Sequence, residues 1–209
     1  MTRAEAKANI IKNLYDGNVV YYDGIDLNNS IQDAYDDIAI IARNIKKKST
    51  GLAWVGQLSY YDFTSLGVAD YLGCIAIFNN VSNVYLTDDL TLKDFDRIRV
   101  DWEAALGTPE WWTPVNFKYI AVFKKYAGAA GTFDLHYWAT APTLTSDSDV
   151  FLIATDMAKL IEYYCTADLF EQAQEFSKAA PFWKLYYPLL QKYKTRCHGL
   201  AKSDLLYGV

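Results

Sequence analysis

Residues 24–45 read GIDLNNSIQDAYDDIAIIARNI, and the architecture turns on where their helical pattern stops. Leu27, Ile31, Ala34, Tyr35, Ile38, Ala42 and Ile45 recur at helical spacing and form one apolar stripe. Asp26 suits the N-cap of this helix, and Lys46–Lys48 suit its C-terminus, where cations meet the negative end of the dipole. Ser49, Thr50 and Gly51 then end the segment. The polar side gathers Asn28, Asn29, Gln32, Asp33, Asp36 and Asp37, a set that reads either as a site for chemistry or as a face for a partner.

On the N-terminal side, Ala4, Ala8, Ile11 and Leu14 predict a short helix over 3–15, stopped by Gly17. On the C-terminal side the pattern changes. Residues 52–145 are dense in aromatic and β-branched residues, with Gly, Asn, Asp or Pro every eight to twelve positions. YLGCIAIF (71–78) and NVYLT (83–87) predict one hairpin; NFKYIAVF (116–123) and TFDLHYWA (132–139), around the loop KKYAGAAG, predict another. In the last of these strands Phe133, Leu135, Tyr137 and Ala139 share a face. The stretch 90–114 reads as a short helix or a strand followed by a Pro-bounded loop. Helical spacing returns with Val150, Ile153, Met157, Leu160, Ile161 and Tyr164. A further stripe follows in Phe182, Leu185, Tyr186, Leu189, Leu190 and Tyr193. Pro181 opens a new helix or kinks a continuous one, Pro188 bends it, and Gly199 is the expected stop.

Helices that bracket a β block must pack on each other to bury their stripes. The expected fold is therefore α+β, a small bundle of N- and C-terminal helices with an inserted antiparallel β lobe. Its parts are a helix pair (1–51), the lobe (52–145), the C-terminal helices (146–198) and a patternless tail (199–209), within one compact domain.

Composition narrows the function classes. The net charge is −5 and the longest basic run is Lys46–Lys48, which argues against a nucleic-acid-binding domain. The three cysteines, Cys74, Cys165 and Cys197, have neither metal-site spacing nor the density of a secreted disulfide scaffold. The opening MTRAEAKANII lacks the apolar core of a signal peptide, and no apolar run approaches the roughly 18 residues of a membrane span. The 17 Tyr, 10 Phe and 6 Trp favour either extensive contact surfaces or a Tyr-rich core.

No catalytic motif emerges. Nucleophile elbows and phosphate loops are absent, and His136 and His198 lack partners at ligand spacing. Asp33, Asp36 and Asp37 share a helix face, but short helical carboxylates lack the loop carbonyls of calcium sites. That face is better read as surface for solvent or a partner, with no cofactor or metal. In PEWW (109–112), Trp111 and Trp112 suit carbohydrate stacking or a protein contact, while one of the pair plugs the lobe's core.

The order of segments resembles the head-to-tail connector (adaptor, or head-completion) proteins of tailed bacteriophages, short-tailed phages in particular. The resemblance spans roughly residues 20–195. It is carried by DLNNSIQDAYDDIAI, DFDRIRVDWEAALGTPEWW, LHYWATAPTLTSDSDVF and LIEYYCTADLFEQAQEFSKAAPFWKLYYPLL. The chain departs from that pattern in lacking proline near Phe123–Lys125 and after Asp149. The resemblance implies a non-enzymatic virion protein, made in the host cytoplasm and placed at the head–tail junction. It implies a ring of identical subunits, twelve in number, that joins the portal to tail nozzle, tube or fibre-attachment proteins. DNA would pass through the ring without specific binding, and no membrane is involved. The helix face from Asn28 to Asp37, Trp111, Trp112 and a C-terminal arm with Leu205, Leu206 and Tyr207 are then the candidate interfaces. The competing reading is a non-viral binding module that grips carbohydrate or protein through the Trp-rich lobe.

Overall fold

The computed structural model describes residues 1–14, 24–56, 58–116, 119–128 and 130–206. The fold is α+β with helices at both ends, and the chain divides into two compact units. One comprises Met1–Ile45 and Thr140–Val209; the other, Lys46–Ala139, lies between them in sequence.

The first unit is helical. Helix α1 (Arg3–Asn13) starts on a capping box, in which the Thr2 hydroxyl accepts from the Glu5 N–H and the Glu5 carboxylate accepts from the Thr2 N–H. Helix α2 (Gly24–Ala42) buries the predicted stripe, with Ile31, Ala34, Tyr35, Ile38 and Ala42 fully inaccessible. It starts before Asp26 and ends at Ala42, where Arg43 takes a left-handed φ of 50°. The predicted stop at Gly17 lies outside the described residues.

Helical structure returns later than the pattern predicts. Val150 forms a β-bridge with Thr2, and the Asp149 carboxylate accepts from the Thr145 and Ser146 N–H groups. These turn contacts hold 145–151 out of a helix, so α4 runs only over Ala158–Gln172. Helix α5 (Phe176–Leu206) contains both Pro181 and Pro188 and passes through Gly199, so neither a new start at Pro181 nor a stop at Gly199 is observed. Each proline withholds an N–H from the carbonyl four residues back, Ser177 and Lys184. All four residues are exposed, which leaves those carbonyls to water and makes the prolines tolerable. α4 packs on α1, α2 and α5, and α2 on α5, giving the expected small bundle.

Among its described residues the second unit holds nine strands in three sheets. Strands β1 (Lys46–Ala53), β3 (Tyr71–Asn79), β4 (Val84–Tyr85) and β9 (Thr132–Ala139) form an antiparallel sheet in the order β1-β9-β3-β4. Strands β2 (Tyr60–Asp62), β6 (Trp111–Pro114) and β7 (Tyr119–Phe123) form a second in the order β2-β7-β6. The short strands β5 (Leu106–Gly107) and β8 (Lys125–Tyr126) pair in parallel, and helix α3 (Leu92–Ile98) precedes them. The β3–β4 hairpin is as predicted.

Two sequence expectations fail here. Lys46–Lys48 do not cap α2 but begin β1, where Lys47 pairs with Asp70 and Lys48 with Asp134. The second predicted hairpin does not form, because β7 lies between β2 and β6 while β9 lies between β1 and β3. An eight-residue loop sets no hairpin register, and Lys124, at φ 65°, redirects the chain at the end of β7. The loop is also pinned, since the Tyr126 hydroxyl donates to the Ala130 carbonyl at 2.8 Å.

Asp134 makes this unit acid-sensitive. Burial alone would raise its carboxyl, but donation from Asn80, Lys48 and the Gly51 N–H brings it down to about 2, below the ordinary 3.8. A depressed carboxyl stabilises the fold above its unfolded-state value, and that stability is lost as pH falls toward the folded-state value. Asp134→Asn should therefore flatten the loss of stability between about pH 4 and pH 2, measured by urea unfolding across that range.

Candidate functional site

The sequence-predicted face of α2 divides once its neighbours are in place. Gln32 ties the helix to the segment that follows the β lobe. Its Oε1 accepts from the Leu144 N–H at 2.9 Å, and its amide donates to Asp36 at 3.2 Å and to the Pro142 carbonyl at 3.5 Å. Asp37 is engaged on the other flank, accepting from the buried Tyr186 hydroxyl of α5 at 2.5 Å. Asn28 is half-buried, and its Oδ1 has no hydrogen-bond partner among the described residues. Asn29 and Asp33 point outward, and Asp36 is half-buried between the two environments. Burial raises the Asp36 carboxyl, the Gln32 amide lowers it and the nearby Asp33 raises it, for a net rise. The face thus holds intramolecular braces at Gln32 and Asp37 and an outward acidic edge at Asp33 and Asp36.

One neighbour of that edge has no counterpart in the sequence reading. Ile40 is 53% exposed, although its apolar neighbours Ile38, Ala39 and Ala42 are buried and Ile41 is half-buried. With Gln32, Asp36, Thr140, Ala141 and Thr143 it lines a cleft of about 370 Å³. Helical spacing leaves Ile40 off the stripe, but the cleft beside it depends on residues 140–143, which the pattern of α2 does not show.

The indole pair in β6 separates by strand alternation. Trp112 is 4% exposed and is the core plug; Trp111 is half-buried with its ring 5.0 Å from Phe123. Trp111, Tyr85, Pro109 and Glu110 line a second cleft, of about 500 Å³. At the C-terminus, Leu205 and Leu206 belong to the last turn of α5, and Tyr207 lies outside the described residues.

The chemistry available is modest. Among the described residues no three His, Cys, Asp or Glu side chains converge as a metal would require. Cys74, Cys165 and Cys197 form no disulfide among the described residues, and burial pushes the thiols of Cys74 and Cys165 upward, away from the reactive thiolate. His136 is half-buried on β9, its Nε2 has no hydrogen-bond partner among the described residues, and burial lowers its pKa. No described helix is long and apolar enough to cross a membrane.

What this arrangement offers is contact surface, and comparison with known proteins says of what kind. The sequence matches the SU10 adaptor protein family over residues 1–200. The chain belongs to that family. Its role is that of a phage adaptor, a structural component of the virion that serves the connection of head and tail. No curated protein matches the sequence. In this SU10 adaptor the match covers both units, so the helical bundle and the β unit alike are family features.

Proposed function

We propose that this adaptor closes into a ring, twelve copies in number, at the portal vertex of a short-tailed phage, joining the portal above to tail nozzle, tube or fibre-attachment proteins below. The observation that carries this reading is the family match over residues 1–200, which leaves little of the chain for another role. The exposed surface supports it. Ile40, Val100, Leu106, Phe176, Leu185 and Tyr187 are each more than half exposed, which leaves apolar side chains available for contact on both units. A ring uses two different flanks of each subunit, which must fit each other without also permitting open-ended growth. The candidate interfaces are Asn28, Asn29, Gln32, Asp33, Asp36 and Asp37 on α2, Trp111 and Trp112 in the β unit, and Leu205, Leu206 and Tyr207 at the C-terminus. Within these sets Asn29 and Asp33 are exposed, and Asp36 and Trp111 are half-buried. DNA is expected to pass through the ring without being held, in keeping with the net charge of −5.

The purified chain, mixed with the portal protein of the same phage, should assemble into closed rings seated on portal particles. Particle imaging and mass photometry read this directly. A chain that stays monomeric beside intact portal would overturn the proposal.

A further inference from the structure

Helices α2 and α5 carry opposite charge. α2 contains Asp26, Asp33, Asp36 and Asp37 and no basic residue. α5 contains Lys178, Lys184, Lys192, Lys194, Arg196 and Lys202, and its single acidic residue is Asp204 near the end. The two helices touch through Asp37 and Tyr186, so these charges could have been spent on each other inside one copy. At the middle of the two helices they are not: Asp33 faces outward, and none of Asp33, Asp36 and Lys192 forms an ion pair among the described residues. On α5, Tyr186, Leu190 and Tyr193 are buried, while Lys184, Leu185, Pro188 and Lys192 emerge on the opposite side.

The two exposed faces also match in spacing. On α2, Asp33 and the 53% exposed Ile40 are seven residues apart on one side of the helix. On α5, the 51% exposed Leu185 and Lys192 are likewise seven residues apart. At 1.5 Å of rise per residue both intervals are roughly 10 Å, and both repeat along one side because seven residues make nearly two turns. Apolar follows acidic on α2, and basic follows apolar on α5, so the complementary alignment is antiparallel. Beside Ile40 the cleft of about 370 Å³ has room for a long side chain to approach Asp36, whose partly desolvated carboxyl would gain from a cation.

We propose that these faces form the seam between neighbouring copies. α2 of one copy lies antiparallel to α5 of the next, with Ile40 against Leu185 and the Asp33–Asp36 edge against Lys192. The proposal rests on the ring reading above and adds the surfaces that close it. Because the faces differ, the contact is heterologous and propagates from copy to copy around the ring.

Charge reversal tests the seam in a way that separates contact from folding. Asp33→Lys alone sets lysine against lysine at each seam, and Lys192→Asp alone sets aspartate against aspartate. Each variant should keep the wild-type circular dichroism yet lose ring yield on portal by about tenfold or more, since like charges at an interface cost far more than a rim pair gains. An equimolar mixture of the two variants should recover rings, because alternating copies restore an opposite-charge pair at each seam. Single variants that assemble like wild type would overturn the seam, as would a mixture that fails to recover. Duplex-DNA retention lost in Lys192→Asp while rings form normally would likewise overturn it and assign the basic face to DNA. Wild-type chain that never leaves the monomer beside portal would overturn the ring itself, and the seam with it.

Discussion

Phe133→Ala should cost the β unit about 3–5 kcal/mol, the range for removing a fully buried aromatic ring. Phe133 is inaccessible to solvent on β9. Its ring lies 4.3 Å from Trp54, 6.0 Å from Tyr61 and 6.4 Å from Phe63, centroid to centroid. The position cannot collapse easily, because β9 is paired on both sides, with Phe133 opposite Leu52 on β1 and Asn79 on β3. A cavity left between two fixed strands keeps most of its cost. Set against a typical folding stability of about 5–15 kcal/mol, the loss is large enough to leave the unit marginal. Urea unfolding followed by tryptophan fluorescence measures it, with Trp54 as the adjoining reporter. Phe133→Leu, which keeps more of the volume, should lose less. A loss below about 1 kcal/mol for alanine would mean that Phe133 does not anchor this core.

That strand was legible because its alternation is strict: Phe133, Leu135, Tyr137 and Ala139 are all buried. Its partners were not. Pairing depends on residues far off in sequence, and nothing local to β9 says that Lys46–Lys48 will lie beside it. A lysine run after a helix fits the dipole rule equally well, so the rule misplaced the start of the β unit by several residues. Gly199 misled for an energetic reason. One helical glycine costs roughly 1 kcal/mol, which is too little to stop a helix by itself. The indole pair was undecidable without register, since adjacent strand residues point to opposite faces and only the pairing of Trp112 with Val122 on β7 places it inward.

The α2 face shows the same limit at the candidate site. Helical geometry correctly separated its polar side from its apolar stripe. It could not show that the backbone at 142–144 returns to Gln32, or that Tyr186 arrives at Asp37 from about 150 positions away. Those two contacts turn a third of an apparent interface, Gln32 and Asp37, into internal bracing. What remains outward is narrower, and it includes an isoleucine that polarity rules ignore. The opposite charges of α2 and α5 are, by contrast, fully visible in the sequence. Their significance emerges only when the fold shows the two helices in contact while Asp33, Asp36 and Lys192 take part in no ion pair among the described residues.

Tyr186→Ala should destabilise the helical unit by about 3–5 kcal/mol, and Tyr186→Phe by about 1.5–3 kcal/mol. The alanine variant removes a ring that is 1% exposed and packed edge-on to Tyr164 and Tyr187, at 5.4 and 5.5 Å. The phenylalanine variant keeps that packing but leaves the half-buried Asp37 carboxylate without its donor. The same hydroxyl sets an alkaline limit. Burial, and then its bond to Asp37, raise the Tyr186 phenol above the ordinary 10.0. Above about pH 10 the unfolded phenol gives up its proton while the folded one retains it. The folded state then binds more protons, so stability is complete below that value and falls as pH rises. Burial also raises Tyr164, to about 12, so the difference between wild type and Tyr186→Phe, measured by denaturation from about pH 8 to pH 11, isolates this hydroxyl. Assembly should rank the variants differently. Tyr186→Phe changes nothing on the exposed side of α5, whereas Lys192→Asp changes that side alone. The phenylalanine variant is therefore expected to lose more stability as a free chain yet keep more of its rings on portal. The opposite ranking would mean that α5 serves the bundle and not the seam.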